Sequence, residues 1–202
     1  MSLFERTNLP FLQEDCKNQF SIEIGNRIFN NAEKWYRKLT AEADCKNNAV
    51  IEEHLRGKLY PAMAYYKAIL EEGPAKKEAL DAVRRETQKA ALQNKENNAK
   101  MARIPCAYFL YRMGVKKHMS TNFPWEGWQT EWVRCDGKEI HFNLHRCIYW
   151  DLCQQHGCPE LCTVYCENDN TAFSGLLPKI RFERSGTLGE GAAYCDFHFI
   201  KA

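Results

Sequence analysis

At about residue 119 the hydrophobic period of this chain changes from helical to extended, and no other feature constrains the fold as strongly. Before that point apolar residues recur at helical steps. Ile28, Phe29, Ala32, Trp35, Tyr36 and Leu39 in "NRIFNNAEKWYRKLTAEA" fall on one face. A second helical stretch runs from about Ile51 to Leu70, with Pro61 placed to split or kink it. Gly73 and Pro74 read as a stop followed by a start. From Ala75 to about Lys95 the chain is rich in Ala, Lys, Glu, Arg and Gln, which predicts a mostly solvent-facing helix. "ARIPCAYFLYRMGV" predicts a buried helix starting near Pro105.

After Met119 the pattern alternates. "GWQTEWVRCDGKEIHFNLH" reads as a hairpin turning at Asp136-Gly137, with Trp128, Thr130 and Trp132 on one face of its first strand. Ile140, Phe142 and Leu144 alternate with His141, Asn143 and His145 in the second. A short helix from Cys147 to His156 stops at Gly157, and Pro159 suits the start of another. "KIRFER" and "YCDFHFI" are further strands; the latter sets Cys195, Phe197 and Phe199 against Asp196 and His198. The fold class is α+β: a helical N-terminal half packed on a C-terminal antiparallel sheet with two short inserted helices. The expected division is a helical region over 1–118 and a cysteine-rich α+β region over 119–202, together forming one compact domain.

Net charge is +2 over 202 residues, which argues against a nucleic-acid partner, and no apolar run approaches a membrane-spanning length. The start "MSLFERTNLPFLQEDC" mixes acidic and basic residues and does not read as a signal peptide, so the expected location is cytoplasmic. Cysteines in that compartment are mostly thiols. Of the 10, Cys135, Cys147, Cys153, Cys158, Cys162, Cys166 and Cys195 lie in the last third, a bias that core filling alone does not produce.

The densest stretch is "GCPELCTVYCENDN". On a helix started by Pro159, Cys158 would be the cap, under the positive end of the dipole, and Cys162 and Cys166 would follow on nearly one face. Paired CxxC motifs, usual in zinc ribbons and fingers, are missing, and no metal site is assigned. Inert buried thiols remain the structural alternative. The strand histidines divide likewise: His141 and His145 beside Asn143, and His198 beside Asp196, suit acid–base work on one substrate or a solvated sheet face.

These residues resemble a known family. "HRCIYWDLCQQHGCPELCTVYCENDN" followed by "KIRFERSGTLGEGAAYCDFHF" looks like the C-terminal signature of the L-2-amino-thiazoline-4-carboxylic acid hydrolases. The match falls on Cys147, Gly157, Pro159, Glu160, Leu161, Cys166, Asp169, Arg184, Thr187, Gly191, Cys195, Asp196, Phe197 and Phe199. It extends less specifically to "LYPAMAYYKAILEEG", covering roughly residues 50 to 200. Cys153, Cys158 and Cys162 are thiols that the family pattern does not assign. The ending "CDFHF" is also similar to vinyl-reductase-type domains, which implies the alternative of a non-catalytic module binding a small ligand or metal.

The resemblance implies hydrolysis of a small cyclic amidine, a 2-aminothiazoline-carboxylate-like ring, to a carbamoyl product. The implied partner is a small molecule, and no cofactor is called for. An amidine carbon becomes electrophilic when its nitrogen is protonated, so the site needs a nucleophile near carbon and an acid near nitrogen. Cys166, Cys195 and Cys147 are the candidate nucleophiles. Glu160, Asp169 and Asp196 are the candidate carboxylates that hold the amidinium and activate water. Arg184 is expected to point into the pocket as a fork for a substrate carboxylate, the alternative being an ion pair with Glu160 or Asp196. Thr187, His198 and Asn143 complete the expected substrate-binding set.

Overall fold

The computed structural model describes residues 2–202, in two compact units that meet within one long helix, at Ala90/Ala91. The first unit is helical. Its elements are α1 (Leu12–Gln19), α2 (Ile22–Ala41), α3 (Ala49–His54), α4 (Tyr60–Glu71) and the opening turns of α5 (Lys76–Ala102). Ser21 caps α2 through its hydroxyl, which accepts from the Ile24 N–H. The apolar stripe read from the sequence buries Ile28, Phe29, Ala32 and Leu39, and the Phe4 ring packs on Phe29 and Tyr36.

Pro61 lies just inside the start of α4, immediately after a π turn over Leu55–Leu59. Proline has no N–H to give the carbonyl four residues earlier, that of Gly57. The π turn absorbs this defect, and the Gly57 carbonyl accepts instead from the Asn8 N–H at 2.8 Å. The neighbouring Arg56 carbonyl accepts from the Tyr36 hydroxyl at 2.8 Å. The expected kink is thus a widened turn whose freed carbonyls have other donors. Gly73, at φ 94°, ends the following helix as expected.

The second unit carries α6 (Ala107–Asn122), β1 (Trp128–Cys135), β2 (Glu139–Cys147), α7 (Ile148–Gln155), α8 (Cys162–Phe173), β3 (Ile180–Glu183) and β4 (Cys195–Lys201). Its four strands form one antiparallel sheet in the order β1-β2-β4-β3. The Asp136 carboxylate closes the hairpin by accepting from the Lys138 and Glu139 N–H groups. One face of the sheet is aromatic. Phe142 stacks on Phe197 at 5.0 Å, Phe182 and Phe199 lie 4.9 Å apart, and Phe173 of α8 closes on both at 4.8 and 4.9 Å. Tyr111 of α6 reaches Phe199 at 5.3 Å, so both helices cover this face.

Two expectations need correction. The helix near Pro105 is not buried: Ala107, Tyr108, Val115 and Met119 are, but Phe109, Leu110 and Met113 are exposed. Its apolar residues surround the helix, and one sheet face covers one side of it. Cys158 does not cap an α-helix either. It precedes a single 3₁₀ turn, Pro159–Leu161, and α8 begins at Cys162.

Candidate active site

Three elements bring sulfur together. Cys162 and Cys166 are one turn apart on α8, and a Cβ placed on Gly189 would stand 3.4 Å from both sulfurs. The third thiol, Cys147, reaches them through a bulge. Gln129 pairs with Arg146 and Thr130 with Leu144, so His145 is the extra residue. Trp128 and Thr130 share a face, hence so do their partners Cys147 and Leu144. Without that bulge, strict alternation would turn Cys147 away from α8. Cys195 lies opposite Leu144 on the next strand, its sulfur accepting from the Leu188 N–H at 3.3 Å.

The thiols are not equivalent. Cys162 donates its S–H between Cys147 and Cys166; these two hydrogen bonds push its own ionisation far up. They lower both neighbours. Cys166 is held below the ordinary thiol value by Cys162, aided by Thr187 and the Arg184 charge and opposed by burial and by the Asp169 charge. Cys147 is likewise lowered, first by Cys162. Its thiol also lies at the N-terminus of α7, beside the Trp150 and Tyr149 N–H groups but short of a full capping bond. Each opposes the other's ionisation, so the trio favours one thiolate at a time. Cys195 is pushed up to about 12, first by burial. Cys153 and Cys158 form a separate buried pair, and Cys153 is raised first by its hydrogen bond with Cys158.

Asp169 stands one turn after Cys166 on α8 and binds Arg184 through Oδ2 at 2.9 Å. Burial raises its carboxyl despite that cation, yet 39% of its side chain remains accessible. Cys147, Cys166, Tyr111, Tyr149 and Tyr165 are also half-buried, and burial raises all three phenols. We read the partly accessible surface of these groups, whose surroundings largely exclude solvent, as the lining of one recess. Tyr149, on the turn after Cys147, packs edge-on to Tyr165 at 4.9 Å. The tyrosines and Cys162 were missed as site residues in the sequence; the signal available was Tyr149 and Tyr165 standing next but one to, or beside, reactive-looking cysteines.

Arg184 does not present an open fork. It follows the last residue of β3, and its side chain is 7% exposed. Its donors go to the Asp196 carbonyl (3.0 Å), the Cys166 carbonyl (3.2 Å) and Asp169. Its plane covers the Phe197 ring at 4.1 Å. The internal ion pair is therefore with Asp169, not with Glu160 or Asp196. Thr187 is also buried, its hydroxyl donating to Glu190 at 2.8 Å.

The remaining expected residues lie elsewhere. Strand alternation puts the Asp196, His198 and Asn143 side chains on the opposite face of the sheet from Cys195 and Leu144. Asp196 binds His141 and Ser185, His198 binds Glu139, and the buried Asn143 keeps an unpartnered carbonyl oxygen. Glu160 is in the 3₁₀ turn before α8, where its carbonyl accepts from Thr163. An open groove of about 380 Å³, lined by Tyr108, Arg112, Lys179 and Lys201, shares no residue with the thiol recess. Among the described residues no group of three or more His, Cys, Asp or Glu side chains is arranged to hold a metal ion, and no helix is long and apolar enough to cross a membrane.

The model of the L-2-amino-thiazoline-4-carboxylic acid hydrolase family matches residues 52–199, most of the chain. The chain belongs to that family. No curated protein and no solved structure gives a significant match. The family match spans every element that forms the recess, from α6 through β4.

Proposed function

We propose that this member of the L-2-amino-thiazoline-4-carboxylic acid hydrolase family opens a small cyclic amidine to a carbamoyl product, with Cys166 as nucleophile and Asp169 as the working carboxylate. One observation carries the reading. Cys166 and Asp169 occupy one face of α8 beside the same arginine, and both keep accessible surface toward the recess. Cys166 is the member of the cluster whose ionisation is favoured by Cys162, Thr187 and the Arg184 charge, which together outweigh burial and the Asp169 charge.

The Cys166 thiolate attacks the protonated amidine carbon. A carbon–sulfur bond forms and the C=N electron pair moves onto nitrogen. Expulsion of a ring heteroatom breaks its bond to that carbon and opens the ring, the departing atom taking a proton. Water then attacks the same carbon while Asp169 takes its proton, a task for which a raised carboxyl is better suited than an ordinary one. The Cys166 sulfur leaves as thiolate, and the carbonyl of the carbamoyl group remains; one water is consumed. Cys162 keeps its proton and donates it to the sulfur that is ionised. Cys195, pushed up to about 12, supports the recess wall and does not attack.

The test is product mass. Incubation with 2-aminothiazoline-4-carboxylate should give a species one water heavier, and Cys166→Ser should abolish it while Cys195→Ser leaves it. An unchanged rate in Cys166→Ser together with loss in Cys147→Ser would move the nucleophile to the helix-terminal thiol.

A further inference from the structure

We propose that the recess reads its ligand as a planar cation through Oδ1 of Asp169, and that Arg184 is an internal counter-charge and takes no part in reading a ligand carboxylate. The inference deepens the hydrolase reading and rests on it for the choice of ring. Bidentate recognition of a carboxylate needs two neighbouring guanidinium N–H groups free along one edge. In Arg184 all three nitrogens already donate, each to a different protein acceptor: Nε to the Asp196 carbonyl, Nη1 to the Cys166 carbonyl and Nη2 to Asp169. Three of its five N–H groups are spent this way, the side chain is 7% exposed, and its central carbon lies 4.1 and 5.1 Å from the ring centres of Phe197 and Phe182, so little of the guanidinium is left to meet a ligand. Releasing that cation for a ligand would leave two backbone carbonyls and a carboxylate without their donor.

Asp169 has the opposite condition. Oδ2 is used by Arg184, while among the described residues nothing donates to Oδ1. Arg184 is the cation that bears on this carboxyl, while a thiolate on Cys166 one turn before it carries the same sign of charge. A half-satisfied carboxylate on the accessible side of a desolvated recess lacks an N–H donor, and a cationic one is favoured there. A cyclic amidinium supplies it. Cys166, one turn before, then stands beside the amidine carbon. On this geometry the charge on the ring's nitrogens, and not a ring carboxylate, decides binding.

Calorimetry on the Cys166→Ser protein separates the possibilities without turnover, using 2-aminothiazoline, its 4-carboxylate and the neutral thiazolidin-2-one. The expected result is that 2-aminothiazoline binds about tenfold or more tightly than the neutral ring, as one charge-assisted hydrogen bond implies, and that the added carboxylate improves Kd by less than about threefold. In Asp169→Asn the preference for the cation should vanish with binding of the neutral ring unchanged, and Asp169→Glu should restore part of it. Equal binding of cation and neutral ring, a carboxylate gain above about threefold, or no binding of any probe would each overturn the inference. The comparison of the three probes on the Cys166→Ser protein, with Asp169 in place, stands even if adding Asp169→Asn prevents folding. Turnover without cation preference would remove this inference and leave the hydrolase; cation preference without product would do the reverse.

Discussion

Asp169 and Asp196 flank the same sheet from opposite faces and have opposite chemistry. Asp196 has both oxygens filled: Oδ1 meets His141 at 2.8 Å, and Oδ2 accepts from the Ser185 N–H and hydroxyl at 3.0 and 2.7 Å. Burial is the largest single influence on it and would raise it, but those donors together outweigh burial and hold it below the ordinary aspartate value. Asp169 has one partner and one open oxygen, and burial wins. The contrast extends to whole faces. The polar face holds His141 and His198, stacked at 4.7 Å, each tied through Nε2 to a carboxylate at 2.8 Å, and His145 tied to Glu131. The aromatic face holds thiols and a half-open carboxylate. Histidines look reactive in a sequence, yet here each spends Nε2 on a carboxylate, and the filled Asp196 has less left for a substrate than a carboxylate with an open oxygen.

If that comparison is right, Cys166→Ser should cost the most: kcat/KM down by about a thousandfold or more, with little change in melting temperature. A mutant that keeps its rate would break the assignment of chemistry to the aromatic face. Asp169→Asn comes next, with kcat/KM down about a hundredfold. It should also cost about 2 kcal/mol in urea unfolding, because Arg184 loses its counter-charge; the figure is set below that of a fully buried pair since Asp169 is 39% accessible.

The pH dependence sharpens the same contrast. Asp169 must be ionised to work, and its carboxyl is raised from 3.8, so kcat/KM should fall on acidification at a pH above the ordinary aspartate range. Asp169→Asn should erase that limb. For stability the signs oppose. A raised carboxyl contributes stability below its unfolded pKa and loses it as pH rises through the folded value. The lowered Asp196 contributes stability above its unfolded pKa and loses it as pH falls through its folded value. Acid titration of urea midpoints should therefore be flattened by Asp196→Asn and steepened by Asp169→Asn.

Two smaller effects complete the series. Cys153→Ser places a hydroxyl where a fully buried thiol sat, and should lower stability by about 1 kcal/mol while kcat/KM stays within about twofold. His141→Gln should change kcat/KM by less than about threefold, because its partner Asp196 faces away from the thiols. A large loss of activity there would tie the polar face to the chemistry and undo the distinction drawn here.

Much of this was legible in the chain itself. The i, i+4, i+7 spacing of Cys162, Cys166 and Asp169 places them on one helical face once "PELCTVYCENDN" is helical, and the resemblance read from the sequence falls on two of the three. Alternation in "YCDFHFI" separates Cys195 from Asp196 and His198, as the strand register bears out. What misled was the assumption that residues near in a motif meet one substrate. Arg184, Thr187, Asp196 and His198 lie within a short stretch, yet they end as a buried ion-pair partner, a buried hydroxyl and two groups on the other face of the sheet.

The sequence by itself determined the switch from helices to strands, the hairpin at Asp136, the stops at Gly73 and Gly157, and the clustering of sulfur in the second unit. These follow from backbone sterics and the periods of 3.6 and 2, which are local. Tertiary structure decided which thiols are poised and which carboxylate is open. One extra residue at His145 turns Cys147 toward α8, and the loop after β3 sets Arg184 on Asp169 and Thr187 against Cys166. A pKa depends on solvent exclusion and on donors supplied by other segments, and neither is encoded in the residues adjoining a cysteine or an aspartate.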